Sequence, residues 1–533
     1  MYTPPLFEPN ILSTLLRNFS FYFRDGYWGY VFLVIMGLIL FPFIWLRARP
    51  AAFSFPDRIY LFNSRSDKMS AVWAFLAFII LCAITYSQEM SLFANFDLMS
   101  IGTTVNFAEG KGTGISDIRF SPFGNVELNL FYAVSHNMYI VSGMVLGETA
   151  LLLYLFYRLF DFIPVSRRLY ALALAAFYPA LVWINNPIFP ERLMLIFICA
   201  SLLMLKKYLA APRTSLLILF CILMNLAIYT KETVILFYAG LLAVDVLYLV
   251  FRGTVKPASF LHPFKTAKEL PLEFIMFQSM AVFAFIYLLF GLGIESNQYV
   301  SAHISDEAWK KYYLEIFVCF SALTALVSSQ KATPLLLGLL GGSLVLLFFV
   351  VWKLGIHNEN TASYYAIVSG LFSLFVFFYA AEKKSVLTLF GFAFLAISAV
   401  QNISLYRKQN GDAYHDTARF LSRLTADPKP LSVFVKDSLN GKYESYIIDC
   451  YRSAYKFYFP ERNFVFKTNS AADRQNNILK FPLKYQERPQ PGDIYVENKF
   501  YGTDVPENFK LLHENRIFRI FQIKQSGSAP NRP

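Results

Sequence analysis

Apolar stretches long enough to cross a bilayer recur about twelve times between Tyr27 and Ile403, with short polar connections between them. They lie near 27–46, 69–86, 138–158, 169–184, 190–208, 215–230, 233–251, 274–291, 314–329, 334–352, 363–381 and 386–403. Each predicts a helix, because a backbone in lipid must satisfy its own polar groups. Basic residues fill every second connection. They are Arg47, Arg49, Arg58, Arg65 and Lys68; Arg158, Arg167 and Arg168; Lys206, Lys207 and Arg213; Arg252, Lys256, Lys265 and Lys268; Lys331; and Lys383 with Lys384. The positive-inside rule makes those six connections cytoplasmic and the alternate ones external. An even count of spans then puts both termini outside.

Flanking the helical part, 1–26 reads as an N-terminal interfacial segment. Its Asn10–Phe23 stretch sets Arg17 among Leu and Phe, with Arg24 just beyond, and lacks the layout of a signal peptide. Residues 27–403 form the expected transmembrane catalytic domain, with a long external loop at 87–135. Beyond it, 404–524 alternates in the manner of a small soluble extracytoplasmic α/β domain. A helix is predicted over 414–423 and strands over 431–436, 446–450, 464–467, 493–497 and 516–523. The tail 525–533 reads as disordered.

Two of the external turns carry unusual restrictions. The 169–184 run is about sixteen residues, a rise of roughly 24 Å against a hydrocarbon core of ~30 Å. Helices of that length often end in a protein-lined cavity. The Thr230-Lys231-Glu232 segment is a charged hinge with almost no loop between two apolar helices.

Composition supports a membrane protein. Hydrophobic residues make up 56% of 533, aromatics 18%, and the mean hydropathy is positive. The net charge of +12 sits mostly in cytoplasmic loops, where it meets anionic lipid, so no nucleic acid partner is expected. Cys82, Cys199, Cys221 and Cys319 fall in apolar spans and Cys450 is alone in the tail, so neither a disulfide framework nor a zinc site is predicted.

The external side holds most of the candidate chemistry. The long loop supplies Glu89, Asp97, Asp117, Arg119 and His136, the 185–192 turn supplies Glu191 and Arg192, and the hinge supplies Lys231 and Glu232. Lys353, His357 and Glu359 follow later. Each has an ordinary reading beside the functional one: a solvated loop acid for Asp97, a snorkelling lysine for Lys231, a surface ion pair for Glu191 and Arg192. Glu148 and Asp245 lie inside spans, where they either pair with a neighbouring helix or stay protonated.

The order of these residues resembles the GT-C class of glycosyltransferases, which take a sugar from a polyprenyl phosphate. The resemblance runs through Phe93-Ala94-Asn95-Phe96-Asp97, Arg119-Phe120-Ser121-Pro122-Phe123 with Val126 to Leu130, His136-Asn137, Pro187 to Glu191 and Lys231-Glu232, covering roughly residues 90–250. It implies a polytopic α-helical membrane protein with a GT-C-like arrangement of about 12 transmembrane helices. Asp97 would be the catalytic base, and Arg119, His136, Glu191, Arg192, Lys231 and Glu232 would bind substrate. Inversion at the sugar carbon by direct displacement is also implied. Relatives often carry two adjacent acids where this chain has Asp97-Leu98, so a divalent metal is not indicated and no cofactor is expected.

The chemistry suits such a site. A carboxylate shielded from water makes a general base, and fixed cations stabilise a departing phosphate where water is excluded. The expected partners are a polyprenyl-phosphate sugar donor, a glycan or glycolipid acceptor such as lipopolysaccharide, and membrane lipid. The expected location is a bacterial inner membrane, with the site facing away from the cytoplasm. A transporter, or a polymerase or ligase of lipid-linked glycans, is the alternative. Against these stand the absence of a visible repeat and the shortness of the late loops.

Overall fold

The structure, a computed structural model, describes residues 27–50, 55–91, 126–135, 137–185, 189–253, 267–291, 312–353 and 364–408 in the helical part. It also describes 431–435, 464–468, 490–498, 509–515 and 518–523 near the C-terminus, with short pieces at 11–13, 115–116, 119–120, 123–124, 416–417, 420–421, 423–424 and 484–485 and the single position 488. The helices are α1 Tyr27–Leu40, α2 Arg65–Ser91, α3 Val126–Val134, α4 Met138–Leu159, α5 Val165–Ala176, α6 Pro179–Ile184 and α7 Glu191–Ala210. They continue with α8 Thr214–Thr230, α9 Val234–Phe251, α10 Pro271–Gly291, α11 Tyr313–Ser328, α12 Pro334–Lys353, α13 Ile367–Ala380 and α14 Lys384–Lys408.

Every apolar run predicted from the sequence is helical, but the count of spans needs correction. Among the described residues seven helices, not about twelve, are long and apolar enough to cross a membrane. They fall in α2, α4, α7, α9, α10, α12 and α14. Seven long apolar helices are consistent with an integral membrane protein. They do not give the twelve-span, GT-C-like arrangement, nor the even count that set both termini on one side. The shorter apolar helices are 33–44, α8, α11 and α13. Fourteen residues, as in α13, rise only about 21 Å. The run at 169–184 is broken in two. Pro179 opens α6 without an N–H for the helical ladder, and Tyr178 before it is forced to extended backbone at φ −69°, ψ 119°.

Packing follows two devices. Phe156 stacks on Phe375 at 5.0 Å and Phe160 on the same ring at 4.8 Å, joining α4 to α13. The α9–α12 pair meets backbone to backbone: a β-carbon on Gly342 would lie 2.4 Å from the Phe237 carbonyl oxygen, and one on Gly240 would lie 2.6 Å from Gly342 Cα. Gly338-Leu-Leu-Gly341-Gly342 is the small-residue spacing that lets membrane helices approach this closely.

The basic connections gather at one end of the bundle. Lys206 pairs with Asp161, Lys331 pairs with Glu382, and Arg167 donates to the Ala381 carbonyl at 2.9 Å. Arg168 donates to the carbonyls of Tyr157 at 3.0 Å and Tyr60 at 3.3 Å. The Tyr208 hydroxyl reaches the Arg49 carbonyl at 2.9 Å. Asp245 lies toward this end of α9, and its neighbour is a second acid, Glu273, where a basic partner would be the ordinary expectation.

Near the C-terminus a six-stranded sheet has the order β5-β4-β3-β6-β8-β7, after a short β1–β2 pair at Ile115–Ser116 and Arg119–Phe120. Its strands are β3 Leu431–Val435, β4 Phe464–Thr468, β5 Lys484–Tyr485, β6 Ile494–Asn498, β7 Phe509–Glu514 and β8 Phe518–Ile523. The β5-β4-β3-β6 side is parallel and β6-β8-β7 is antiparallel. Phe434, Tyr495 and Phe521 form its apolar centre. The expected strand over 446–450 lies outside the described residues, whereas β5 and β7 were not anticipated.

Candidate active site at the start of helix seven

The end of the bundle opposite the basic connections is built around the turn between α6 and α7. Arg192, the second residue of α7, pairs through Nε with Glu148 Oε2 at 2.8 Å and donates through Nη1 to the Ile184 carbonyl. Asn185 accepts from Thr149 Oγ1 at 2.5 Å through its Oδ1. Glu148 and Thr149 lie halfway along the 22-residue α4. The turn is therefore sunk about 15 Å below the start of α4, at ~1.5 Å per residue. The reason is local: α5 and α6, interrupted at Tyr178, are too short to reach further.

The hinge comes to the same place. Lys231 caps the C-terminus of α8 and its ammonium pairs with Glu191 Oε1 at 2.9 Å, with the Tyr365 ring centroid 4.7 Å away. Glu191, Arg192 and Lys231 are 1%, 0% and 4% exposed, so the solvated ion-pair reading does not hold for them. Phe123 N–H donates to the Tyr229 carbonyl at 3.3 Å, which ties the end of the long loop to α8. Three residues later α3 begins, and it delivers Glu127.

Glu127 is 3% exposed, and neither carboxylate oxygen has a hydrogen-bond partner among the described residues. Burial pushes its carboxyl up to about 8. Arg192 pulls the other way, while Glu148 and Glu191 push it further up. The site therefore sets three buried or partly buried carboxyls against two cations, each cation already paired. Glu148, within a span, does pair with a neighbouring helix.

The predicted residues divide as follows. Glu191, Arg192 and Lys231 are brought together. Glu232 follows Lys231 in the chain and is partly buried, and its Oε2 has no hydrogen-bond partner among the described residues. Arg119 is placed only by its backbone, in β2. Asp97 and His136 lie outside the described residues. Glu127 was missed as a site residue. It is the one charged residue in the nine of α3, otherwise apolar except for Asn129, and that isolation was the available signal. Among the described residues no group of three or more His, Cys, Asp or Glu is placed to hold a metal ion.

Such a site can hold an anion. An anion entering there would have to take the place of Glu148 or Glu191 at Arg192 or Lys231, at the positive end of the α7 dipole that Glu191 now occupies and where little water enters. No family model and no curated protein matches the chain.

Proposed function

We propose that this chain is an inverting glycosyltransferase that moves a sugar from a polyprenyl-phosphate donor to a surface-glycan or lipopolysaccharide acceptor at the extracytoplasmic face of a bacterial inner membrane. The observation that carries the reading is the sunken cluster of Arg192, Lys231, Glu191 and Glu127 at the end away from the basic connections. Its support is chemical and positional. It draws on the residue order that resembles GT-C enzymes, not on their helix count.

In this reading the donor phosphate lies against Arg192 and Lys231, which stabilise the charge that grows as the sugar–phosphate bond breaks. Asp97 takes the proton of the acceptor hydroxyl, and the hydroxyl oxygen attacks the sugar carbon from the opposite face. The prenyl chain lies in the apolar bundle. The test is transfer of radiolabelled sugar from a polyprenyl-phosphate donor by purified full-length protein. Asp97→Asn and Lys231→Met are expected to lose transfer at least ~100-fold. Normal turnover by Asp97→Asn removes that residue from the mechanism. Cells lacking the protein are expected to accumulate the lipid-linked sugar.

A second reading, a proton-coupled carrier, draws on the buried Glu127 carboxyl beside ion pairs halfway along α4. Uptake into liposomes driven by a pH gradient, and lost in Glu127→Gln, would establish it instead.

A further inference from the structure

We propose that a strap at the basic end of the bundle docks on the adjoining membrane leaflet and takes the head groups of anionic phospholipids. The strap is the connection between α1 and α2, described over 44–50 and 55–64. It is fastened to the bundle through its backbone. Tyr60 donates its N–H to the Asp161 carbonyl at 3.0 Å, and its own carbonyl accepts from Arg168 at 3.3 Å. Arg49 donates its N–H to the Tyr208 hydroxyl at 3.3 Å, and that hydroxyl donates back to the Arg49 carbonyl at 2.9 Å. Between the two clips Phe55 is buried against Phe162, 6.1 Å between centroids, with the Lys206 ammonium 5.6 Å from each ring.

The clips fix the depth of the strap. Asp161 lies two residues beyond the end of α4, and Tyr208 two residues before the end of α7. Those helices, 22 and 20 residues long, rise about 30–33 Å, the thickness of the hydrocarbon core, so their ends reach the head-group region. The strap lies at that level and not out in solution. Its outward side chains are large and apolar: Trp45, Ile59, Leu61 and Phe62 are exposed, Leu61 to 80%. A segment held by its own backbone cannot fold them away, and an apolar patch of this kind marks an interaction surface. In the chain they lead into Met69, Val72 and Trp73, which are exposed on the membrane-length helix α2.

Charge decides what covers the patch. Arg47, Arg49, Arg58, Arg65 and Lys68 are all exposed, and none forms an ion pair among the described residues. Lys206 and Lys331, by contrast, hold Asp161 and Glu382. The acids of the described strap and first turn of α2 are Asp57 and Asp67. Asp67 is buried and accepts the N–H groups of Asn63 and Ser64 at 3.2 and 3.0 Å. Five cations thus face outward with one acid, at the depth where acyl chains meet phosphates. An anionic phospholipid meets both needs there, phosphate for the guanidinium groups and acyl chain for Ile59 and Leu61. Arginine suits the place, because its stem packs on apolar surface while its head reaches phosphate. The Arg58 guanidinium is held 4.9 Å from the Tyr60 ring centroid, beside one of the clips.

The experiment uses purified full-length protein in nanodiscs of phosphatidylcholine, alone or with an equal amount of phosphatidylglycerol. Depth is read by power saturation of a nitroxide at Leu61→Cys. Unsubstituted protein is the labelling blank, and Lys510→Cys, exposed on β7, is the water reference. Collision with a water-soluble nickel chelate is expected to be about tenfold lower at 61 than at 510, and collision with oxygen higher. Equal nickel access at the two positions overturns the proposal and leaves the strap a surface for a soluble partner. Selectivity is read from spin-labelled lipids of both kinds at the protein boundary. The wild type is expected to prefer phosphatidylglycerol. Arg47→Gln/Arg49→Gln/Arg58→Gln is expected to lose about fivefold or more of that preference, the equivalent of ~1 kcal/mol for one arginine at an anionic surface. Arg213→Gln/Lys383→Gln/Lys384→Gln removes the same charge at exposed positions off the strap and is expected to lose less than about twofold. Equal losses in the two triple variants, or no preference in the wild type, overturn the head-group site. Neither reading involves sugar transfer, so this inference and the function proposed above fail separately.

Discussion

Replacing Glu127 by Gln should raise the stability of the protein, and by an amount that depends on pH. In the folded chain the carboxyl titrates at about 8, against 4.5 for an unburied glutamate. Between those values the folded state keeps a proton that the unfolded state has released. Stability linked to this group is therefore fully present below 4.5, falls as pH rises, and is lost above about 8. Each pH unit in that window costs up to ~1.4 kcal/mol, so the whole interval amounts to roughly 5 kcal/mol. Gln has nearly the same shape and no proton to lose. The variant should match the wild type near pH 4.5, exceed it by roughly 3 kcal/mol at pH 7, and by roughly 5 kcal/mol above pH 8. The assay is unfolding by SDS in mixed micelles from pH 4.5 to 8.5, read as the difference between the two proteins. A difference that stays constant across the range would show that Glu127 is not held neutral by burial, and the account of the site would fail with it.

The other predictions concern packing, pairing and orientation. Lys231→Met strands Glu191, which is 1% exposed, and should cost about 3–5 kcal/mol. Lys231→Met combined with Glu191→Met should recover much of that stability in the same unfolding assay while leaving transfer abolished; additive losses would mean the two residues do not interact. Gly342→Ala puts a β-carbon 2.4 Å from the Phe237 carbonyl oxygen and should cost about 1–3 kcal/mol by thermal unfolding. Gly37→Ala, with open space at the same position, is its neutral control. A single cysteine at the exposed Lys384, in a background without the five native cysteines, should react with an impermeant maleimide only after cells are opened. Labelling of intact cells there would reverse the assigned orientation.

Much of the architecture follows from residue order alone, because apolar length and basic spacing are local properties of the chain. The helices, their order and the clustering of Arg167, Lys206 and Lys331 at one end were all legible, since a hydrophobic run has no alternative in lipid. The ends of α7 and α8 were legible too, because Glu191, Arg192 and Lys231 interrupt apolar runs. Several strands of the C-terminal sheet could be read from their alternation, but β7 was not; its charged and polar positions resemble a loop until β8 pairs with it.

Tertiary structure decided the rest. How far each helix extends depends on packing as well as hydropathy: among the described residues seven helices are long and apolar enough to cross a membrane, and the 169–184 run is broken in two at Pro179. The pairing of Glu148 with Arg192 spans 44 positions and no local pattern announces it. Glu127 is the clearest instance. In isolation a glutamate in the first turn of a nine-residue helix is a solvated group favoured by the helix dipole. Its burial, and the neutrality that burial imposes, arise only when α3 settles on α4 beside two carboxylates whose cations are already taken. Charge type is written residue by residue, whereas the free energy of carrying that charge belongs to the surroundings the fold assembles around it.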